Sequence, residues 1–308
     1  MGSLDRPDQP DEPGRAERAR DASAGRPRTR EMPDPDERGR VYEAVRAHVS
    51  AETGERADRN SAPEQRCEGT GTPNYRNEVP RFLDMWADHQ KRWPTRPRVA
   101  VDHSADPPER HVATAEAIGR IREAESGLSA DAQTIEQENK DKHGGWLEGF
   151  EHRLKREDRL KEKIAEKLGA EPRTTASEAL REVADTIRYT YCFQPENYTR
   201  GYYDITERYE RRGYEMYYSK NWWTNPEYKG INTRWITSNG QRFEVQFHTL
   251  DSFHAKHHVT HAAYERIRDS ATSDEERAEL KAFQREVSSR IQVPDGAADI
   301  PDYKKEGF

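Results

Sequence analysis

Asp185 and Glu244 are the side chains of this 308-residue chain best suited to chemistry. Asp185 stands just ahead of Ile187 to Phe193, a run rich in β-branched and aromatic residues, and Glu244 lies inside a second such run. If the two runs are neighbouring strands of one sheet, the carboxylates meet. Paired hard oxygens suit Mg²⁺, which takes one or two protein carboxylates and fills its shell with phosphate and water. Glu244 is the more telling of the two, since a carboxylate between Phe243 and Val245 is costly to bury unless it is paired or metal-bound. Asp185 by itself would suit a cap or a solvated charge equally well.

Basic residues supply the matching half of such a site. Lys155, Arg159 and Lys163 recur every four residues, a spacing that stacks them on one helix face as a polyphosphate clamp, with Arg153 and Arg156 nearby. The plainer reading is a solvated face, because Glu157, Asp158, Glu162 and Glu166 can pair with these bases for a few tenths of a kcal/mol each. Tyr228, Trp222 and Trp223 offer faces on which a nucleobase could stack, or are simply core. His254, His257, His258 and His261 share a helical spacing that would suit a transition metal, but no HExxH pair or third ligand accompanies them. Walker A, GxGxxG and GxSxG motifs are absent from the sequence.

The elements that must position these residues are partly legible. Apolar spacing predicts helices over Ala113 to Asn139, broken at Gly127, and over Leu147 to Leu168, capped by Gly169. A short helix follows over Thr175 to Ala184, then a strand over Ile187 to Phe193, a helix over Tyr198 to Arg212 and a strand over Tyr214 to Ser219. Asn239-Gly240 reads as the two-residue type I′ turn of a hairpin, which puts Trp235 opposite Glu244 and Thr233 opposite Gln246. In its second strand Glu244, Gln246 and His248 share one face, and Phe243, Val245 and Phe247 the other. Helices over Asp251 to Arg268 and Ser273 to Ile291 close the chain. The fold class expected is α+β, a mixed sheet of four to five strands flanked by helices.

Composition limits the folded part. Only 32% of residues are hydrophobic while 35% are charged, too little core material for the whole length to pack. Residues 1–75 read as a disordered leader, with a short helix at most over Val41 to Val49. Residues 76–145 read as a helical N-terminal extension, 146–292 as the domain bearing the motifs, and 293–308 as a tail. A net charge of −7 offers no bulk attraction to nucleic acid or anionic membrane, so a polyanion must be held by a local basic cluster. Two cysteines make no disulfide framework, and the sequence has neither a Sec signal peptide nor a bilayer-length apolar run. The expected location is the cytoplasm, or delivery as a toxin by another route.

From about Gly149 to Arg268 the order and spacing of five blocks resemble the synthetase domain of RelA/SpoT-like alarmone synthetases. The blocks are Arg153-Leu-Lys155 with Lys163, Asp185-Thr-Ile-Arg188, Lys220-Asn-Trp, Tyr228-Lys-Gly-Ile-Asn232, and Glu244-Val-Gln246-Phe-His248-Thr. The resemblance implies a nucleotidyltransferase-like fold in which Arg153, Lys155 and Lys163, with Arg159 and Arg188, hold ATP phosphates. It implies Mg²⁺ on Asp185 and Glu244, the latter also helping to deprotonate the attacking hydroxyl. Tyr228 would stack the acceptor base, beside Lys220, Asn232, Gln246 and His248. The chain departs from the family pattern at Arg188, where Gly is usual, at Asn232 in place of His, and at His248 in place of Arg.

With no match to the family's hydrolase or regulatory domains, the expectation is a synthesis-only enzyme of the small or toxin-associated branches. It would transfer pyrophosphate from ATP to the ribose 3′-hydroxyl of a guanosine or adenosine nucleotide. An antitoxin or immunity protein is the partner expected of a toxin, no membrane is involved, and the acidic pI near 5.9 disfavours tRNA as acceptor. The alternatives are an inactive module that binds nucleotide or a partner, and a toxin that pyrophosphorylates the 3′ end of tRNA.

Overall fold

The computed structural model describes residues 74–94, 108–171 and 174–308. The short helix expected over Val41 to Val49, and all but the last two residues of the expected leader, lie outside them. Helix α1, Tyr75–Arg92, is capped by the Asn74 side chain and buries Tyr75, Val79 and Phe82. Helix α2 runs unbroken over Pro108–His143, so Gly127 does not end it. Burial of Ile118, Ile121, Leu128 and Ile135 outweighs the glycine, whose cost in a helix is only about 1 kcal/mol.

The helix expected from Leu147 does not begin there. Trp146–Leu147 is instead a strand, β1, paired with Cys192 and Tyr191, and Phe150–His152 is a single 3₁₀ turn. The backbone then tracks the start of the next long strand: Arg188 N–H donates to the Arg153 carbonyl at 2.7 Å, and Lys155 N–H to the Thr186 carbonyl at 3.0 Å. Helical spacing of Leu147, Phe150 and Leu154 loses here to pairing with the sheet, so α3 starts only at Glu157 and runs past Gly169 to Ala170. Helix α4, Ala176–Glu182, opens with the capping box of Thr175 and Glu178.

Next come β2 (Arg188–Phe193), α5 (Tyr198–Arg211), β3 (Glu215–Asn221), β4 (Ile231–Ile236) and β5 (Arg242–Thr249). With Tyr303–Lys304 as β6, the sheet has six strands among the described residues rather than four or five, in the order β1-β2-β5-β4-β3-β6. It is mixed: β2 and β5 are parallel, the other pairs antiparallel. The extra edge strand β6, Tyr303–Lys304, comes from the segment read as a tail and pairs with β3. Phe243, Val245 and Phe247 of β5, with Tyr189 and Tyr191 of β2, form the apolar face. Helices α2 and α5 cover it, with the Tyr191 hydroxyl donating to the Ala132 carbonyl at 2.9 Å.

The hairpin register differs by one residue from that expected. Glu244 lies opposite Arg234, and Gln246 opposite Asn232. The cause is the turn. Gly240 N–H donates to the Thr237 carbonyl at 2.9 Å, and Thr237 N–H to the Gln241 carbonyl at 2.9 Å, which closes a three-residue loop with Gly240 at φ 85°. That is a type I turn followed by a left-handed glycine rather than a two-residue type I′ turn. Trp235 and Thr233 therefore join the apolar face, and Arg234 and Asn232 the polar one.

The helix expected over Asp251 to Arg268 is three pieces: α6 (Leu250–His254), a π turn (Ala255–Val259) and α7 (His261–Arg268). Thr260 N–H and Oγ1 both reach back five residues to the Ala255 carbonyl, at 2.8 and 3.0 Å, which widens the turn. Helix α8, Asp274–Ser289, starts at the Ser273 cap.

Candidate functional site

The polar face of the sheet gathers the residues in rows. Parallel pairing sets Arg188 beside Glu244, Thr190 beside Gln246 and Cys192 beside His248. Antiparallel pairing continues two of these rows, through Arg234 to Tyr218 and through Asn232 to Lys220. Glu244, Gln246 and His248 are all buried, at 6%, 3% and 0% exposure, so each needs a polar partner.

Asp185 sits in a 3₁₀ turn, Ala184–Thr186, directly ahead of β2. Its Oδ2 accepts from Lys155 Nζ at 2.8 Å and from Arg188 Nη2 at 3.5 Å, while Arg188 Nε donates to Glu244 Oε2 at 2.5 Å. Lys155, Asp185, Arg188 and Glu244 thus form one continuous chain of charges. Burial pushes the Asp185 carboxyl up, but Lys155 and then Arg188 outweigh it and hold it below its ordinary value. Burial likewise acts on Glu244, where Arg188, Lys256 and a hydrogen bond with Gln246 prevail and keep it ionised.

A second cluster surrounds Tyr228. Its hydroxyl donates to Asn232 Oδ1 at 3.0 Å and lies 3.1 Å from His248 Nε2, and His248 Nδ1 lies 2.9 Å from Ser252 Oγ. A phenol has one proton, so with that proton on Asn232 a neutral His248 ring meets the hydroxyl by donating from Nε2. Burial, then the Lys256 charge, depresses the His248 pKa well below its ordinary value, consistent with this neutral form. Burial and the Glu244 charge raise the Tyr228 hydroxyl. Only a glycine fits at position 230: it has φ 147°, and a Cβ there would come 2.7 Å from His248 Cε1.

Other expected residues lie elsewhere. Arg153 is not beside Lys155's partner; its Nε donates to Glu125 Oε1 of α2 at 2.5 Å, its side chain lies over the Phe150 ring, and Ser129 accepts at 3.0 Å. Arg159 pairs with Glu162 and Glu265, and Lys163 with Glu166 at 2.7 Å, although the Lys163 charge still bears on Asp185. Since Lys155 precedes α3, only Arg159 and Lys163 share a helical face. Lys220 Nζ is hydrogen-bonded to Asp302, next to β6, and lies over the Trp222 ring. The histidine run does not converge: among the described residues no three His, Cys, Asp or Glu side chains form a metal-holding group. His254 Nδ1 is instead 2.7 Å from the Tyr75 hydroxyl.

Lys256 and Arg234 were not legible as site residues. Lys256 projects from the π turn, donates to Gln246 Oε1 and lies 6.0 Å from the Tyr228 ring centre. Burial and the Arg188 charge lower its pKa to about 7. The signal for Lys256 is tertiary, since its neighbours read as plain helix. Arg234, opposite Glu244, is exposed and stacks on Tyr218 at 4.8 Å; the correct turn type would have found it.

The donor set fits Mg²⁺. Asp185 and Glu244 supply two hard oxygens, and the Arg188 guanidinium, a cation already touching both, shows that they converge on one positive centre. No family model and no curated protein matches the chain. Several solved structures are similar to it. Small alarmone synthetase 1 from Bacillus subtilis, bound to its product pppGpp, is 12% identical with TM-score 0.38, over 54% of this chain and 87% of that one. A GTP pyrophosphokinase family protein from Streptococcus pneumoniae is 15% identical with TM-score 0.34, over 54% and 82%. The type VI effector Tas1, in complex with its immunity protein, is 18% identical with TM-score 0.35, over 59% and 94%.

Proposed function

We propose that the chain is an ATP-dependent nucleotide 3′-pyrophosphokinase that acts on a guanosine or adenosine nucleotide. The observation that carries this reading is the unbroken line Lys155, Asp185, Arg188, Glu244 on the same sheet face as Tyr228. Phosphoryl-type transfer needs little beyond positioning and neutralised charge, and that line joins cations to carboxylates next to an aromatic platform. The acceptor 3′-oxygen bonds to the β-phosphorus, the bond from that phosphorus to the α–β bridging oxygen breaks, and AMP leaves.

In this reading Lys155, Arg188 and Lys163 meet the phosphates. Asp185 and Glu244 would hold Mg²⁺, which when bound neutralises charge on the transferred group. Glu244 also takes the hydroxyl proton, and Tyr228 stacks the acceptor base with Asn232, Gln246, His248 and Lys220 around it. An antitoxin or immunity protein as partner, and delivery as a toxin, belong to the same proposal. No helix among the described residues is long and apolar enough to cross a membrane.

The test is product analysis by mass after incubation with ATP, Mg²⁺ and, separately, GDP, GTP, AMP, ADP, ATP or deacylated tRNA. A pyrophosphorylated nucleotide that disappears in Glu244→Ala is expected. AMP release with no such product, or an unaffected Glu244→Ala variant, would sink the reading. Nucleotide binding by calorimetry with no product over hours would assign the inactive module instead.

A further inference from the structure

Arg188 stands between the two carboxylates that would hold a divalent ion. Its Nε is 2.5 Å from Glu244 Oε2 and its Nη2 is 3.5 Å from Asp185 Oδ2, so one guanidinium bridges the two carboxylates. The arrangement is set by the backbone. Arg188 is the first residue of β2 and pairs directly with Glu244, while Asp185 is three residues upstream. A planar fork with several donors can span two acceptors in this way, which a lysine ammonium on one flexible stem does less well.

The surrounding charge sharpens the conflict. Against the two carboxylates stand Arg188, Lys155 on Asp185 at 2.8 Å, Lys163 acting on Asp185, and Lys256 acting on Glu244. A bare dication would enter a centre already rich in positive charge and would have to displace a charge-assisted hydrogen bond. A polyphosphate brings the opposite charge and offers the guanidinium new oxygens to grip. The Arg188 side chain is 32% exposed, so it has a solvent-facing side from which to swing.

We propose that Arg188 is a resident counter-ion that keeps the Asp185–Glu244 pair closed to divalent metal until nucleotide phosphates draw the guanidinium away, so that metal enters with the nucleotide. This rests on the proposed function only in taking Asp185 and Glu244 as the metal ligands. Until nucleotide arrives, Arg188 on this account acts only through the two carboxylates; once it arrives, the guanidinium grips the phosphates. It differs from a purely structural ion pair because its removal opens a site.

The experiment uses Mn²⁺ alone, without nucleotide, titrated into the full chain and followed by the free-ion paramagnetic resonance signal. Arg188→Gly is expected to bind one Mn²⁺ at least tenfold more tightly than the wild type, and the gain should vanish in Arg188→Gly/Glu244→Gln. Arg188→Lys, which keeps the charge but spans the two acceptors less well, should fall between. If Arg188→Gly does not fold by circular dichroism, Arg188→Gln takes its place. Equal Mn²⁺ binding by wild type and variants, whether tight or undetectable, overturns the proposal. The readout involves no turnover, so its failure is separate from failure of the reaction. An inert protein whose Arg188→Gly variant gains Mn²⁺ loses the reaction but keeps the counter-ion.

Discussion

The Tyr228 hydroxyl lies 3.1 Å from Nε2 of His248, and the same oxygen donates to Asn232. Asn232 and His248 are two of the positions at which the chain departs from the pattern it resembles, and both meet at one phenol. They read as a matched pair. Tyr228→Phe keeps the ring but leaves polar atoms of Asn232 and His248 without that partner, and should cost about 1–3 kcal/mol of stability in urea denaturation. Tyr228→Ala should in addition weaken acceptor binding by about tenfold or more, if a base stacks there. Equal acceptor affinity in wild type and Tyr228→Ala would count against stacking.

Arg153 and Lys155 come from one sequence block but have different tasks in the structure. Glu125 is 8% exposed and depends on Arg153 and Ser129 for its hydrogen bonds. Arg153→Ala should therefore lower stability by about 1–3 kcal/mol through the unpaired glutamate. Lys155→Ala should leave stability nearly unchanged, since its partner Asp185 keeps Arg188, and should weaken ATP binding by calorimetry. A reversed result would return Arg153 to the phosphate clamp.

Two glycines give opposite expectations for the same substitution. Gly230→Ala places a Cβ 2.7 Å from His248 Cε1 and 3.0 Å from the Phe247 carbonyl at a positive φ. It should destabilise by at least about 1–3 kcal/mol and disturb the Tyr228 cluster. Gly127→Ala lies inside α2 with nothing within 4 Å of the new methyl, and should stabilise by about 0.5–1 kcal/mol. Thermal melts of the two variants check both signs.

His254 supplies a pH dependence. Burial, then the nearby His258 and Arg76, lower its pKa to about 4 from an ordinary 6.5. The unfolded chain binds a proton that the folded chain refuses between these values, so this contribution is fully present above pH 6.5 and is lost as pH falls toward 4. The loss amounts to at most about 3 kcal/mol by pH 4. Denaturation midpoints should fall over that window in the wild type and fall less in His254→Gln. An equal slope in both proteins would remove His254 as the cause.

The sequence by itself determined the element types where local signals agree with the fold. The short helix ahead of β2, the closing helix α8, the alternation through β5 and the β-branched run of β2 all stand as read. It also determined that Glu244, buried in a strand, needed a cation. Other features were decided only by tertiary contacts. The backbone of Glu148, Arg153 and Lys155 is claimed by the sheet against the helical spacing of its stretch, and a type I turn shifts the hairpin by one residue. A π turn brings Lys256 to Gln246, and strand pairing puts Arg188 between two carboxylates. Spacing along a chain specifies faces of an element, but which partner's charge or backbone group answers a side chain is an energy settled between elements. That is why Asp185, Glu244 and Arg188 could each be picked out along the chain while the ion pairs that join them could not.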